Sequence, residues 1–246
     1  MNEELIKRAE DLASRCARTG SVTATAFLTP AEQYELRDFR PRADCAVRFH
    51  GGVPGAERAC AFFLPDWMDE TLFDPGETLR CVRLTAQFGA PGHRDYLGAL
   101  LGMGVRREWL GDILIDGSTA HVLCIHTVEP HLLTIEKVGR CGVKTAAVPL
   151  TKVPAPERKV RPMSFTVQSP RLDAVLAGLF HLSRTQAAER VRAGDASLNY
   201  AECLRPDAEI RPGDVVSLRG HGKAAVRDIG GQSRKGRTYV DGEVYI

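Results

Sequence analysis

The sequence predicts an α+β protein of three segments, and three observations predict it. Residues 171–219 hold two short amphipathic helical stretches followed by short β-branched runs. Residues 79–150 read as strand–helix–strand–strand–helix–strand. Residues 1–78 open on helical periodicity and pass to two extended runs around a Gly/Pro-rich stretch. A chain of 246 residues is long enough for two or three cores rather than one.

In order, a first helix is expected over residues 3–18. A second starts at Thr29-Pro-Ala-Glu32, where threonine caps, proline suits the first turn and glutamate returns to the cap amide. Residues 46–49 and 59–64 read as strands joined through 51–58, a loop without the Gly-Lys-Ser/Thr ending of a P-loop and therefore a hairpin connection. The middle segment gives a strand at 79–88, a helix at 94–102, a strand at 112–115, a turn at Asp116-Gly117, a strand at 120–126, a helix at 129–138 and a strand at 143–150. That βαββαβ order is the ferredoxin-like arrangement shared by RRM domains. Its central strands lack the aromatic residues with which an RRM stacks bases. A scaffold role, or backbone contacts through Arg94, Arg106 and Arg107, suits it better.

After a connection over 153–169, Leu172, Val175, Leu176, Leu179 and Phe180 form one apolar stripe, ending at His181-Leu182. Ser183 as N-cap and Gln186 at N3 open a second helix, which Gly194 stops. Ala187, Ala188 and Val191 are its buried side. Arg184, Thr185 and Arg192 are left on a flank and at the exposed N-terminus, where unpaired amides and the helix dipole suit phosphate. Ser197-Leu-Asn199 reads as a strand, and the turn Arg211-Pro-Gly-Asp214 delivers 215–218 as its partner. Arg219-Gly-His-Gly222-Lys223, a strand at 224–229, Ser233-Arg-Lys-Gly-Arg237 and a last strand ending near Val240 complete the chain as a basic extension. Its alternating glycines and cations suit a flexible grip on a phosphate chain, and also suit ordinary turns.

Charge is divided unevenly. Residues 151–246 carry 16 Lys+Arg against 11 Asp+Glu, whereas residues 1–150 carry 17 against 20. The basic half is the one expected to meet a polyanion. Seven cysteines form an odd set with no CxxC pair, which points to reduced thiols rather than disulfides or a zinc ribbon. His121, Cys124, His126 and His131 are the nearest approach to a metal cluster, but they lie on alternating faces of a strand and beyond it, so neither a metal nor any other cofactor is expected. No apolar run approaches the roughly 20 residues of a membrane span, and the acidic N-terminus lacks the apolar core of a signal peptide, so the expected compartment is the cytoplasm.

Arg171-Leu-Asp173, Ser183-Arg184, Arg192-Ala-Gly194, Leu198-Asn199 and Gly213-Asp214, at these intervals, resemble the S4 RNA-binding domain. Together with Phe27-Leu-Thr-Pro-Ala-Glu-Gln33, Gly51-Gly-Val-Pro-Gly-Ala-Glu-Arg58, His93-Arg-Asp-Tyr-Leu-Gly-Ala-Leu100, Gly111-Asp-Ile-Leu114 and Arg219-Gly-His-Gly222, they make nearly the whole chain similar to the bacterial YlmH-type S4 proteins. It departs from the usual pattern at Tyr200, where a glycine commonly follows the asparagine, and at His221 and Lys223-Ala224, where the family often has an aromatic, an arginine and another aromatic.

The resemblance implies an α/β segment at 1–78, the ferredoxin-like domain at 79–152, a linker at 153–169 and the S4 domain with its basic extension at 170–246. It also implies a non-enzymatic protein that binds large-subunit rRNA and tRNA or peptidyl-tRNA, alongside ribosome quality-control factors, when translation stalls. The expected RNA contacts are Arg171, Ser183, Arg184, Thr185, Gln186, Arg192, Asn199, Arg219, Lys223, Arg234, Lys235 and Arg237. An adaptor role in cell division is the alternative. An RNA-modifying enzyme of the pseudouridine synthase kind fits less well, because the catalytic aspartate of those enzymes lies in an Arg-Leu-Asp tripeptide. Here Arg171-Leu-Asp173 already opens the first S4 helix, where its carboxylate would be worth at most about 1 kcal/mol.

Overall fold

In the computed structural model, residues 2–156 and 159–246 are described, and the chain divides into two units, 1–156 and 157–246. It is a mixed α/β protein with several sheets. Among the described residues no helix is long and apolar enough to cross a membrane.

The first unit begins with α1 (Glu3–Thr19), whose Leu5, Ala9, Ala13 and Cys16 recur at helical spacing and form its buried face. In α2 (Pro30–Leu36) the expected box is present: Glu32 N donates to Thr29 Oγ1, and Thr29 N donates to Glu32 Oε2 at 2.7 Å. Strands β1 (Thr23–Ala24), β2 (Cys45–His50) and β3 (Cys60–Pro65) form an antiparallel sheet of order β1-β3-β2. Every residue of β3 is buried, because its two faces are used differently. Ala61 and Phe63 pack with the α1 stripe and Leu36, whereas Cys60, Phe62 and Leu64 turn to the middle of the chain.

There, β4 (Leu79–Ala86), α3 (His93–Gly102), β5 (Leu110–Asp116), β6 (Thr119–Ile125), α4 (Glu129–Leu132), β7 (Lys137–Val138) and β8 (Cys141–Val148) follow in sequence. Their antiparallel sheet has the order β5-β6-β4-β8-β7. Val82, Leu84, Ala120 and Val122 pack with Tyr96 and Leu100 of α3 and with Leu132 of α4. Leu79, Cys81 and Leu123, on the opposite face, share a core with Phe27, Phe62 and Leu64. That core crosses the boundary expected at residue 78. The helix expected over 129–138 is also corrected. Proline at the start of α4 allows one turn, Thr134 Oγ1 donates to the carbonyl of His131, and Lys137–Val138 pairs with Gly142 and Cys141 about a turn in which Gly139 has φ +59°.

A polar joint locks the two sheets. The Asp112 carboxylate accepts from the amides of Glu57 (2.5 Å) and Arg58 (3.0 Å), and the Arg58 guanidinium donates to the carbonyls of Leu110 and Phe27. Gly111 leaves room for the Phe27 ring: a Cβ there would lie 2.6 Å from Phe27 Cε1 and 3.0 Å from Leu123 Cβ.

The second unit comprises β9 (Val160–Val167), α5 (Leu172–Phe180), α6 (Arg184–Arg192), β10 (Ala196–Leu198), β11 (Ala201–Glu202), β12 (Val215–Leu218), β13 (Gly222–Gln232) and β14 (Thr238–Tyr245), its sheet running β11-β10-β12-β13-β14-β9. Leu172, Val175, Leu176, Leu179, Ala187 and Val191 of the helices pack with Ala196, Val216, Leu218, Ala224, Val226, Val240 and Val244 of the strands. Two expectations change here. The latter half of the stretch expected to be a linker is β9, paired with β14 along its whole length. The strands expected at 224–229 and up to about Val240 are both present but longer, as β13 and β14, because their alternate apolar residues complete the core under the helices.

Gly111→Ala is expected to destabilise the first unit by about 1–3 kcal/mol through overpacking against Phe27. Gly98→Ala, in α3 with nothing within 4 Å of the new Cβ, should stabilise it by about 0.5–1 kcal/mol. Urea denaturation of the two variants checks the pair, and equal midpoints would remove the joint's packing from the account.

Candidate nucleic-acid interface

The start of α5 and the start of α6 meet at one buried carboxylate. Asp173 is 4 % exposed. It accepts from Arg171 Nε (3.3 Å) and Nη2 (3.4 Å), from Arg184 Nε (3.1 Å) and from the amide of Ala174 (2.9 Å). The arginines keep 39 % and 52 % of their side chains in solvent, so each is anchored at one edge while its remaining donors face outward. The sequence marked these arginines but not their shared anchor. A carboxylate two residues after Arg171 looks like a helix-dipole partner until the fold brings Arg184 to it.

At the N-terminus of α6, Ser183 Oγ accepts from Gln186 N and Gln186 Oε1 accepts from Ser183 N. The side-chain acceptors of Ser183 and Gln186, expected to meet RNA, are thus engaged in the cap. The amides of Arg184 and Thr185 lie at the open end of the helix, and Thr185 is exposed. Arg192 stands eight residues beyond Arg184, about 12 Å along the axis. It is exposed and makes no ion pair among the described residues.

The other expected contacts are dispersed. Asn199 has φ +51°; its Nδ2 donates to Asp214 Oδ1 (2.8 Å) and its Oδ1 accepts from Val215 N (2.9 Å), so it fastens a turn. Arg219, with 84 % of its side chain exposed, lies 3.9 Å from Asp195, a carboxylate it shares with Arg190. Lys223 Nζ lies 5.8 Å from the ring centre of Tyr200 and 5.1 Å from that of Tyr245. Arg234, Lys235 and Arg237 are exposed at the β13–β14 turn, where Arg237 Nη2 donates to the carbonyl of Thr166. A strand of this length puts that turn roughly 30 Å from Lys223, so the basic residues do not form one patch.

In the first unit, Arg107 donates to the carbonyls of Leu110 and Gly111, and Arg106 pairs with Glu108 and lies over the Trp109 ring, whereas Arg94 is exposed. Beyond the part of the middle sheet covered by Phe27 and Phe62, Arg83 pairs in register with His121 and Ala146, and Thr85 with Lys144. Arg83 and Lys144 are exposed. Burial and then the Arg83 charge push the His121 imidazole below its ordinary range, with Asp116 opposing. His126 and His131 face carbonyls of Thr78 and Met103, and Cys124 belongs to the α3 core. Burial raises the thiols of Cys60, Cys81 and Cys124 to about 12.

Comparisons with known proteins bear on both units. Residues 76–152 match the family described as "Putative RNA-binding domain in YlmH". The chain is similar to the ribosome-associated protein quality control protein P2 of Bacillus subtilis (strain 168), at 30% identity over 217 residues that cover 88% of this chain and 84% of that protein. A solved structure, the cell division protein ylmH from Streptococcus pneumoniae, aligns at 16% identity and a TM-score of 0.48, covering 61% of this chain and 93% of that one.

Removing the charge at the shared anchor should cost more than a helix-dipole contact. Asp173→Asn is expected to destabilise the second unit by about 1–3 kcal/mol, the full penalty for breaking a buried pair being reduced because both arginines can rehydrate. Chemical denaturation checks it, and a loss below about 0.5 kcal/mol would return Asp173 to the role of a simple helix-start carboxylate.

Proposed function

The chain belongs to the YlmH-type family, and we propose that it is a non-enzymatic protein that binds structured RNA of the large ribosomal subunit, together with tRNA or peptidyl-tRNA, in quality control or rescue of stalled translation. Its place of work is the cytoplasm, and its partners include the factors that act on the same stalled subunit. In this reading α5, α6 and β10–β12 are an S4 RNA-binding module, and the domain at 76–152 is ferredoxin-like and touches the RNA backbone.

One observation carries the reading: Arg184 is held by buried Asp173 at the open end of α6, and Arg192 stands along the same helix without an ion pair among the described residues. Positioned cations beside free helix amides match phosphate oxygens, which dominate affinity for folded RNA. Support for the non-enzymatic part comes from the chemistry of the nucleophile candidates. The most deeply buried thiols are held protonated, and Asp173 is consumed by two arginines and an amide. In the first unit the apolar cover over Leu79, Cys81 and Leu123 leaves Arg83, Lys144 and Lys137 among the exposed cations on the sheet.

Sedimentation of the full chain with purified large subunits across a salt series tests this. Replacing Arg184 and Arg192 together by alanine should flatten the slope of log affinity against log salt by about 1 to 2 units. The pair Arg83→Ala and Lys144→Ala should act in the same direction. Salt-independent association, or an unchanged slope in a folded Arg184/Arg192 variant, would remove the phosphate role.

A further inference from the structure

Residues 199 and 200 form a two-residue turn between β10 and β11, with Leu198 paired to Ala201 and both turn residues at positive φ, +51° and +69°. Such turns favour asparagine followed by glycine. Asn199 suits the first position and is fastened by Asp214 and Val215. Tyr200 does not suit the second, since a bulky side chain at positive φ is strained. The ring that the strain sets in place is 38 % exposed. Lys223 lies beside it and beside Tyr245. Lys223 is opposite Ser217 in register, Ser217 is opposite Ser197, and the neighbouring pair Ala224–Val244 places Tyr245 in the same cross-strand row. Ala224 and Val244 are in the core beneath the helices, so this row belongs to the sheet face turned away from α5 and α6.

We infer that Tyr200, Lys223 and Tyr245 form a subsite for an unpaired RNA base, the base lying on a tyrosine ring and its phosphate meeting the Lys223 ammonium. The inference rests on the RNA-binding reading and adds a second, chemically different surface to it. The helix face offers guanidinium groups and amides to the phosphates of folded RNA. The turn and strand ends offer rings to a base that has left its helix, a contact tolerant of base identity because every base has a π-face. An ammonium between two rings gains from both and supplies the charge that a stacked nucleotide brings with it.

The test uses the full chain and a single-stranded RNA hexamer carrying one 2-aminopurine, whose fluorescence falls on stacking. Tyr200→Gly relieves the turn and should keep or raise the melting temperature, yet weaken hexamer binding by about 5- to 150-fold and restore the fluorescence. Tyr200→Phe keeps the ring and should bind as the parent does. Tyr245→Ala and Lys223→Gln should each weaken binding, and the lysine change should also lower the salt dependence. Undiminished, quenched binding by a folded Tyr200→Gly variant would overturn the subsite. A parent chain that sediments with large subunits but ignores the hexamer overturns the subsite alone, whereas one that does neither overturns the RNA-binding reading with it.

Discussion

The middle sheet has to be covered on the face that its helices leave open, and much of the first unit follows from that constraint. Leu79, Cys81 and Leu123 would otherwise present apolar surface to water, and β3 supplies Cys60, Phe62 and Leu64 to meet them. A strand buried on both faces needs a layer on its other side, and α1 with its alanine-rich stripe provides one. Apolar burial is non-directional, so it does not by itself set how the sheets register. Arg58 and Asp112 set it: the carboxylate fixes two amides of the 51–58 loop, and the guanidinium reaches carbonyls on both sides of the joint. Burial lowers the Arg58 pKa, and the nearby carboxylates, Glu32 first, act against that shift.

The same cover redirects the chemistry. A sheet with both helices on one side leaves its other face available, and here much of that face is already occupied by protein. Absence of aromatic residues from the central strands and presence of Phe27 and Phe62 over them are two expressions of one fact. Three of the motifs that carry the family resemblance, around Phe27, Arg58 and Gly111, come together at this joint. Their spacing in the chain gave no sign of that convergence, because it depends on long-range contacts among two loops and the start of β5.

Local signals were the most legible. The capping boxes at Thr29/Glu32 and Ser183/Gln186, the apolar stripe of α5 and the stop at Gly194 each depend on atoms a few residues apart, and each is present as the spacing required. What was illegible depends on partners far away in sequence. Residues 160–167 became a strand because β14 offered it a complete ladder, and residues 137–138 became one because β8 did. The strands after Leu218 were read shorter than they are and joined by glycines and cations suited to a flexible grip, since Val244 gains meaning only against α5 and α6. Among the site residues, Arg171 and Arg184 were visible as cations, but Asp173 as their common anchor required the packing of the two helices. Tyr200 was visible only as a departure from an expected glycine, and its neighbour Lys223 lies 23 residues away in the chain.

The basic side chains of the second unit therefore fall into different physical states, and their states matter more than their number. Arg190 and Arg227 are tied to Asp195 and Glu243, and Arg227 is held more firmly charged by its hydrogen bond to Glu243. Arg190 donates through Nε and Nη2 to Asp195 and the Arg219 carbonyl, and Arg227 through Nε and Nη2 to Glu243. Arg171 and Arg184 are half tied, with the entropy of ordering a long side chain already lost before any ligand arrives. Arg192, Arg234 and Lys235 make no ion pair among the described residues and retain that freedom. In the proposed function direction and affinity then separate: anchored arginines define where a phosphate would sit, while mobile cations raise the local attraction without fixing geometry. For the proposed binding of folded RNA, cations of each kind on one small scaffold serve both a fast encounter and a single register.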